Sequence, residues 1–295
     1  MLTDQRILVT GPTGQVALPV TLALAERNEV FGLARFSDPA ARARLEAAGV
    51  TCIETNLAAG DFTNVPADVD YVLNLAVVKS NRWEIDLAAN AEAPGLLMQH
   101  CQGAKAMLHC SSTGVYQPAG LHELAETDAL GDNHRVMMET YSIAKIAAEA
   151  VVRTSARLFN VPTTIARLNV PYGDNGGWPA FHLMMIEAGQ AVPVHPDRPN
   201  RFNPIHEDDI VRMIPALLGA AAVPATIVNW GGVQAVDLEE WCEFLGGLVG
   251  KDATFVETDS TIGGVTIDTT KMVSLVGPTE VDWRDGLTRM VAARD

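Results

Sequence analysis

The chain has 295 residues, 48% of them apolar and 19% charged, and its 36 acidic side chains outnumber 21 basic ones to give a formal net charge of −15. This is enough apolar material for one large domain, or a domain with a lobe, and the acidity argues against general binding to nucleic-acid backbones. The four cysteines (Cys52, Cys101, Cys110 and Cys242) form no C-x-x-C pair, and no His pair stands at metal-ligand spacing, so we expect no metal site and small buried thiols in a reducing compartment. The first residues run straight into the apolar Ile7-Leu8-Val9 without a signal-peptide layout. The longest apolar stretch, Met213 to Val228, is interrupted by Pro215 and Pro224, so no membrane span is expected. A cytoplasmic protein is the resulting expectation.

In chain order, short β-like runs alternate with Ala/Leu-rich helical stretches. Ile7–Val9 is predicted as a strand, Val16–Arg27 as a helix, Val30–Leu33 as a strand, Pro39–Ala48 as a helix and Thr51–Glu54 as a strand. Tyr71–Leu75, Ala106–Cys110 and Thr163–Ala166 read as further strands, separated by the helical stretches Ile85–Cys101 and Thr140–Phe159. The order is that of an α/β fold, a Rossmann-type doubly wound parallel sheet, and the continuous apolar strands fit burial on both faces. After Arg167 the pattern changes. Residues 171–204 are rich in Gly, Pro and Asn with little periodicity, and read as a binding-loop region anchored by Trp178, Phe181, Met184 and Met185. A helix at Asp208–Leu218 and a strand at Ala225–Asn229 return to the sheet pattern, and the tail from Asp237 adds a helix and a short strand. The expected division is a dinucleotide-binding domain over 1–169, rejoined by 206–232, and a smaller substrate-binding lobe from 170–205 and 233–295.

The first strand ends in Thr10-Gly11-Pro12-Thr13-Gly14-Gln15-Val16-Ala17. Gly11 permits a tight turn, Gly14 lets the backbone approach a pyrophosphate, and Ala17 lets the following helix pack closely on the strand. The helix start then offers free N–H groups and the positive end of its dipole to an anion. At the end of the second strand an acid usually holds the ribose 2′-hydroxyl of NAD, but here Phe31-Gly32-Leu33-Ala34 is followed by Arg35, which favours NADP(H) over NAD.

Tyr141-Ser142-Ile143-Ala144-Lys145 falls within a helical stretch, so Tyr141 and Lys145 share a face. A cation beside a phenol favours the phenolate and lowers its pKa, which suits acid/base work on a hydroxyl or carbonyl. The fifth strand ends in Ser111-Ser112-Thr113, at the carboxyl edge where such sheets bind ligands. No G-x-S-x-G elbow occurs, which removes a serine-hydrolase reading.

On these motifs the chain resembles the extended short-chain dehydrogenase/reductases, the NAD(P)-dependent epimerase/dehydratase family. The resemblance covers Thr10–Ala17, Asn56-Leu57, Asn74-Leu75-Ala76-Val77, Asn90, Ser111–Tyr116, the Tyr141/Lys145 pair and Arg167 with Tyr172-Gly173. It continues through Asn203–Asp209 and Asn229-Trp230-Gly231-Gly232. It implies a catalytic set of Ser112, Tyr141 and Lys145, with Tyr141 the acid/base, Ser112 orienting the substrate oxygen and Lys145 holding the nicotinamide ribose. The implied cofactor set is Gly11, Thr13, Gly14, Gln15, Val16, Arg35, Asn56, Leu57, Leu75, Ala76, Val77, Asn90, Tyr141, Lys145, Leu168 and Val170.

Departures from the family pattern narrow the expectation. The Asp-Glu pair of the 4,6-dehydratases is replaced by Thr113-Gly114, and the Asn that nucleotide-sugar enzymes carry three residues after the sixth-strand Arg is Val170. The first disfavours sugar dehydration, and the second argues against a nucleotide-sugar substrate. Residues 171–204 carry few cations that could meet a diphosphate, Arg198 and Arg201, with Arg212 on the helix beyond, so a compact, rather apolar small-molecule substrate is expected. The expected function is an NAD(P)-dependent oxidoreductase moving hydride at a secondary alcohol or ketone. Its rivals are a nucleotide-sugar epimerase with tightly bound NAD and a non-catalytic NADP(H) sensor. The resemblance also implies a homodimer through Ile85–Cys101 and Thr140–Phe159, which carry apolar residues such as Leu96, Leu97, Ile146 and Val151 on more than one face.

Overall fold

The computed structural model describes residues 2–294. The first half builds strands β1 (Arg6–Thr10), β2 (Glu29–Ala34), β3 (Thr51–Glu54), β4 (Tyr71–Asn74), β5 (Ala106–Ser112) and β6 (Thr163–Leu168). The short strands β7 (Val170–Gly173), β8 (Gly176–Gly177), β9 (Val192–Val194), β10 (Arg201–Phe202) and β11 (Pro204–His206) follow, and then β12 (Thr226–Trp230). Seven of these form one parallel sheet in the order β12-β6-β5-β4-β1-β2-β3. The chain reverses direction between β3 and β4, so β1 and β4 meet at a switch point where a crevice opens beyond the strand ends. The strands are apolar because both faces are covered: Ile7, Leu8, Val9, Leu33, Leu73, Met107, Leu108 and Ile165 are fully buried.

The helices are α1 (Ala17–Ala25), α2 (Pro39–Ala47), α3 (Trp83–Leu87), α4 (Ala93–His100), α5 (Tyr141–Phe159), α6 (Trp178–Glu187), α7 (Glu207–Gly219), α8 (Leu238–Val249), α9 (Thr270–Val276) and α10 (Trp283–Ala292). Three stretches differ from the pattern read in the sequence. The single helix expected over Ile85–Cys101 is interrupted by a π-helical turn at Ala88–Glu92. The cause is Pro94, which has no N–H to donate and whose ring crowds the carbonyl four residues back, so the ladder shifts to wider bonds just before it. Within 171–204, expected to be irregular, α6 forms a ten-residue helix starting at Pro179's turn. Its sequence is apolar nearly all round, so it shows no periodicity to read. The tail holds two helices beyond the one expected, α9 and α10, both short.

Two cores lie on opposite faces of the sheet, and a third, centred on Trp241, Trp283, Tyr172 and Phe202, binds α6, α8 and α10 together. His206 and Asp209 fix how α7 meets this region. His206 Nδ1 caps α7 by accepting from the Asp208 N–H at 3.1 Å, and the Asp209 carboxylate accepts from the N–H groups of Glu280 and Val281. These contacts give the Asn203–Asp209 motif a structural role. Among the described residues no helix is long and apolar enough to cross a membrane, and no cluster of three or more metal-ligating side chains occurs.

Candidate active site

Two cavities open at the carboxyl edge of the sheet. The first, of about 460 Å³, follows the switch point between β1 and β4. Its floor is the turn after β1. Gly11 has φ +65°, and a Cβ there would come within 2.9 Å of the Ala76 backbone. The glycine is therefore required both for the turn and for the close approach of the β4 loop. Thr10 completes the junction: its hydroxyl accepts from the N–H groups of Leu75 and Ala76 and donates to Asn74. The side chains and backbone of Gly11, Thr13, Gly14, Gln15 and Val16 then line the cavity beside the N-terminus of α1, the place where backbone N–H groups and dipole favour a pyrophosphate.

Most of the expected cofactor set lines this cavity: Arg35, Asn56, Leu57, Leu75, Ala76, Val77, Tyr141, Lys145 and Leu168 join the turn residues there. Two do not. Val170 lines the second cavity instead. Asn90 is buried beneath the β4 loop, where its side chain bonds both the N–H and the carbonyl of Val78 at 2.8 Å. It shapes the wall without forming it. The rim beyond β2 also holds an acid that sequence reasoning missed. Asp38 lines the cavity beside Arg35, with its carboxylate accepting from the Ala40 N–H as the cap of α2. Its only mark in the sequence is its place directly before Pro39, at the start of α2.

The second cavity, of about 410 Å³, adjoins the first. Gln15, Lys79, Ser112, Tyr141, Asn169 and Pro171 line both, so they stand where the two meet. β5 delivers Ser112 to this junction, and Ser112 Oγ accepts from the Gly114 N–H at 3.0 Å. Its neighbour Ser111 points the other way, donating to Glu149 at 2.6 Å. The first turns of α5 deliver Tyr141 and Lys145. Lys145 is buried and donates to the Cys110 carbonyl at 2.8 Å.

Burial pushes the Tyr141 phenol up to about 12, with contact to Ser112 pulling the other way. This corrects the sequence expectation of a lowered phenol pKa: loss of water around the ring is the largest influence and drives the phenol up. The same desolvation lowers the Lys145 ammonium. Glu149, one turn beyond Lys145, anchors the helix. Its carboxylate takes a bidentate pair from Arg167 at 2.9 and 2.8 Å, and both side chains are almost fully buried.

The second cavity also contains residues that no motif marked. His134 packs against Tyr141 with ring centroids 5.1 Å apart, in space that Gly114 leaves free, since a Cβ there would meet it at 3.0 Å. Asn133 bonds the Thr113 carbonyl through its amide and the His134 Nδ1 through its oxygen. Burial, with Lys79 nearby, lowers His134 to about 4 and keeps it neutral. Met137, Trp178, Phe202, Ile262 and Val265 supply apolar walls. Of the residues expected to line a substrate pocket only Trp178 does so: Phe181 and Met184 are more than half exposed on the outer side of α6, and Met185 packs on the third core. The helix that the sequence concealed turns them away.

A scan against family models matches residues 7–231 to the NAD dependent epimerase/dehydratase family. No curated protein matches the chain. Among solved structures, the UDP-N-acetylglucosamine 4-epimerase of Methanobrevibacter ruminantium, in complex with UDP-N-acetylmuramic acid, superposes with a TM-score of 0.86 at 16% identity, covering 99% of each chain. The UDP-glucuronic acid 4-epimerase of Bacillus cereus, with UDP-glucuronic acid and NAD, gives 0.83 at 19% identity over 98% of this chain and 99% of that one. DesIV, a dTDP-glucose 4,6-dehydratase of Streptomyces venezuelae with NAD bound, gives 0.82 at 21% identity over 98% and 96%. At these identities the likeness is one of fold.

Proposed function

Since the chain belongs to the NAD dependent epimerase/dehydratase family, an enzyme family, we propose that it moves a hydride at a secondary-alcohol or ketone carbon, with NAD(H) in the first cavity and the substrate in the second. The observation that carries this reading is the wall shared by the two cavities, where the hydroxyls of Ser112 and Tyr141 stand together. The glycine turn and the start of α1 fit a dinucleotide pyrophosphate. When bound, the nicotinamide supplies a hydride acceptor or donor at its C4. Ser112 holds the substrate oxygen by a hydrogen bond. Tyr141, protonated at neutral pH because burial raises its phenol, gives its proton to a carbonyl oxygen in reduction and recovers it from the hydroxyl in oxidation. Lys145, buried one turn along, is positioned to hold the ribose and favour the phenolate during that exchange. On this reading residues 1–169 with 206–232 hold the cofactor, and the remainder forms the substrate lobe.

Two considerations set the finer reading. Known structures of this fold include UDP-sugar 4-epimerases with NAD, which supports an epimerase that returns the hydride to the carbon it came from, ahead of a net oxidoreductase. They likewise support NAD over the NADP(H) that Arg35 suggested. Asp38 on the same rim repels a 2′-phosphate and suits a ribose hydroxyl. The test is a nucleotide titration with an activity panel. NAD is expected to bind at least about tenfold tighter than NADP, with Asp38→Asn narrowing the gap and Arg35→Ala leaving NAD affinity within about twofold. UDP-sugars and simple secondary alcohols are then assayed for C4 inversion and for NADH release. Tighter NADP binding would restore Arg35 as a phosphate reader, and absence of both activities across the panel would remove the hydride-transfer reading.

The homodimer expected through α3–α4 and α5 belongs to the same proposal. Leu96, Ile143 and Leu158 are exposed on these helices, at 44%, 39% and 72%, an apolar face of the kind that a second copy covers. Light scattering is expected to give twice the chain mass, and Leu158→Glu with Leu96→Glu to halve it. A wild-type monomer at micromolar concentration rejects the dimer.

A further inference from the structure

The second cavity has a charge character opposite to that of the chain. The protein carries 15 more negative than positive charges, yet among the described residues lining this cavity there is no carboxylate, and one side chain, Lys79, bears an ammonium group. The arginines expected to meet a diphosphate are engaged elsewhere. Arg198 pairs with Glu239 and Glu257, Arg201 with Asp237 and Arg212 with Asp209, and none of them lines the cavity.

Lys79, by contrast, makes no hydrogen bond or ion pair among the described residues. Its ammonium lies 5.3 Å from the centre of the Tyr141 ring, on the wall shared by the two cavities. It is open to the water of the cavities, but deep enough that loss of hydration lowers its pKa. A second donor at the same junction is also unsatisfied: the Gln15 side-chain nitrogen is buried without a partner. Two unpaired donors, one charged, ask for an anionic acceptor. His134 adds a complementary group. With Nδ1 held by Asn133, its Nε2 is left as an acceptor, suited to a hydroxyl on the same ligand. Trp178, Phe202 and Val265 leave only apolar surface for the rest.

We propose that Lys79, with Gln15, is the specificity anchor for a carboxylate close to the reacting carbon, so that the substrate is a hydroxy or keto acid, free or as the acid form of a sugar. The pyrophosphate of a dinucleotide is the other anion within reach of the junction. It is already supplied by the turn after β1 and the start of α1, whereas Lys79 lies over the ring of Tyr141, beside the reaction. The inference rests on the proposed hydride-transfer site for the words "reacting carbon". The anion pocket itself does not depend on it.

The test uses NAD-loaded protein and ligands matched in all but charge: 3-hydroxybutyrate with 3-hydroxybutyramide, and UDP-glucuronate with UDP-glucose, with binding read by calorimetry. At least one acid is expected to bind about tenfold or more tighter than its neutral partner, and Lys79→Met to erase that preference while leaving the neutral ligand within about twofold. Lys79→Arg should keep most of it. Three results overturn the proposal: acids bind no better than their partners; Lys79→Met weakens UDP-glucose as much as UDP-glucuronate, which assigns the ammonium to phosphate; or Lys79→Met weakens NAD itself by tenfold, which assigns it to the cofactor. Failure of the two readings is distinguishable. Acid-selective binding with no hydride movement spares the anion pocket and removes the chemistry, and turnover confined to neutral alcohols does the reverse.

Discussion

Replacing Tyr141 by Phe is expected to lower turnover by about a hundred- to ten-thousandfold while dinucleotide affinity stays nearly unchanged. The substitution removes one oxygen and leaves the ring, so its packing against His134 and beneath the Lys79 ammonium persists. What is lost is the hydroxyl that stands beside Ser112 on the wall of the second cavity, from the helix that also carries Lys145. Ser112 cannot replace it, because an aliphatic hydroxyl is a far weaker acid than a phenol, and its oxygen already accepts from the Gly114 N–H. The measurement is kcat for whichever panel substrate proves best, with the dinucleotide Kd determined alongside. Turnover within threefold of wild type would falsify the acid/base assignment. A large loss of dinucleotide affinity would instead assign Tyr141 to cofactor binding.

The second large effect is expected on stability. Glu149→Ala strips the Arg167 guanidinium of its bidentate partner inside the protein, and leaves the Ser111 hydroxyl without its acceptor. Removing one member of a buried pair costs about 3–5 kcal/mol, because the other charge stays desolvated and uncompensated. For a chain of this size that lowers the melting midpoint by on the order of 10 °C. Arg167 keeps only the Glu126 carbonyl at 3.0 Å and the Tyr116 ring at 4.8 Å, which do not replace a carboxylate. The double variant Glu149→Leu with Arg167→Met removes both charges, and is expected to melt above Glu149→Ala. If the single variant melts within about 2 °C of wild type, the pair is not holding α5 to β5 and β6.

The parts legible in the sequence were those where local chemistry and global position agree. The glycine turn after β1, the Ser111-Ser112 strand end and the Tyr141/Lys145 spacing each carry a backbone or hydrogen-bonding requirement that few other residues meet, and all line the first cavity. The parts that were hidden have physical reasons. α6 is apolar on most sides, because it packs among α8, β7 and the third core, so it lacks the two-faced pattern that marks a helix. Asp38 serves as a helix cap and a cavity rim at once, and only the first role shows in sequence. Lys79 and His134 come from loops, whose side chains are placed by tertiary contacts. A lysine five residues after Asn74 carries no signal until the fold sets it over the ring of Tyr141. The raised phenol pKa was likewise unreadable, since spacing predicts which groups are near but not how much water they lose.

Tyr141, Lys145 and Glu149 follow one another at intervals of four along α5, so the proposed reaction centre and the structural anchor are marks on a single ruler. Because each residue turns an α-helix by about 100°, a one-residue insertion or deletion between the first mark and the last would rotate either the phenol out of the cavity or the carboxylate away from Arg167. No repacking of neighbours could restore both. Substitution at the exposed Ile143, even where it weakens the proposed dimer, leaves the marks in register. The stretch from 141 to 149 is thus free in part of its spelling and fixed in its length.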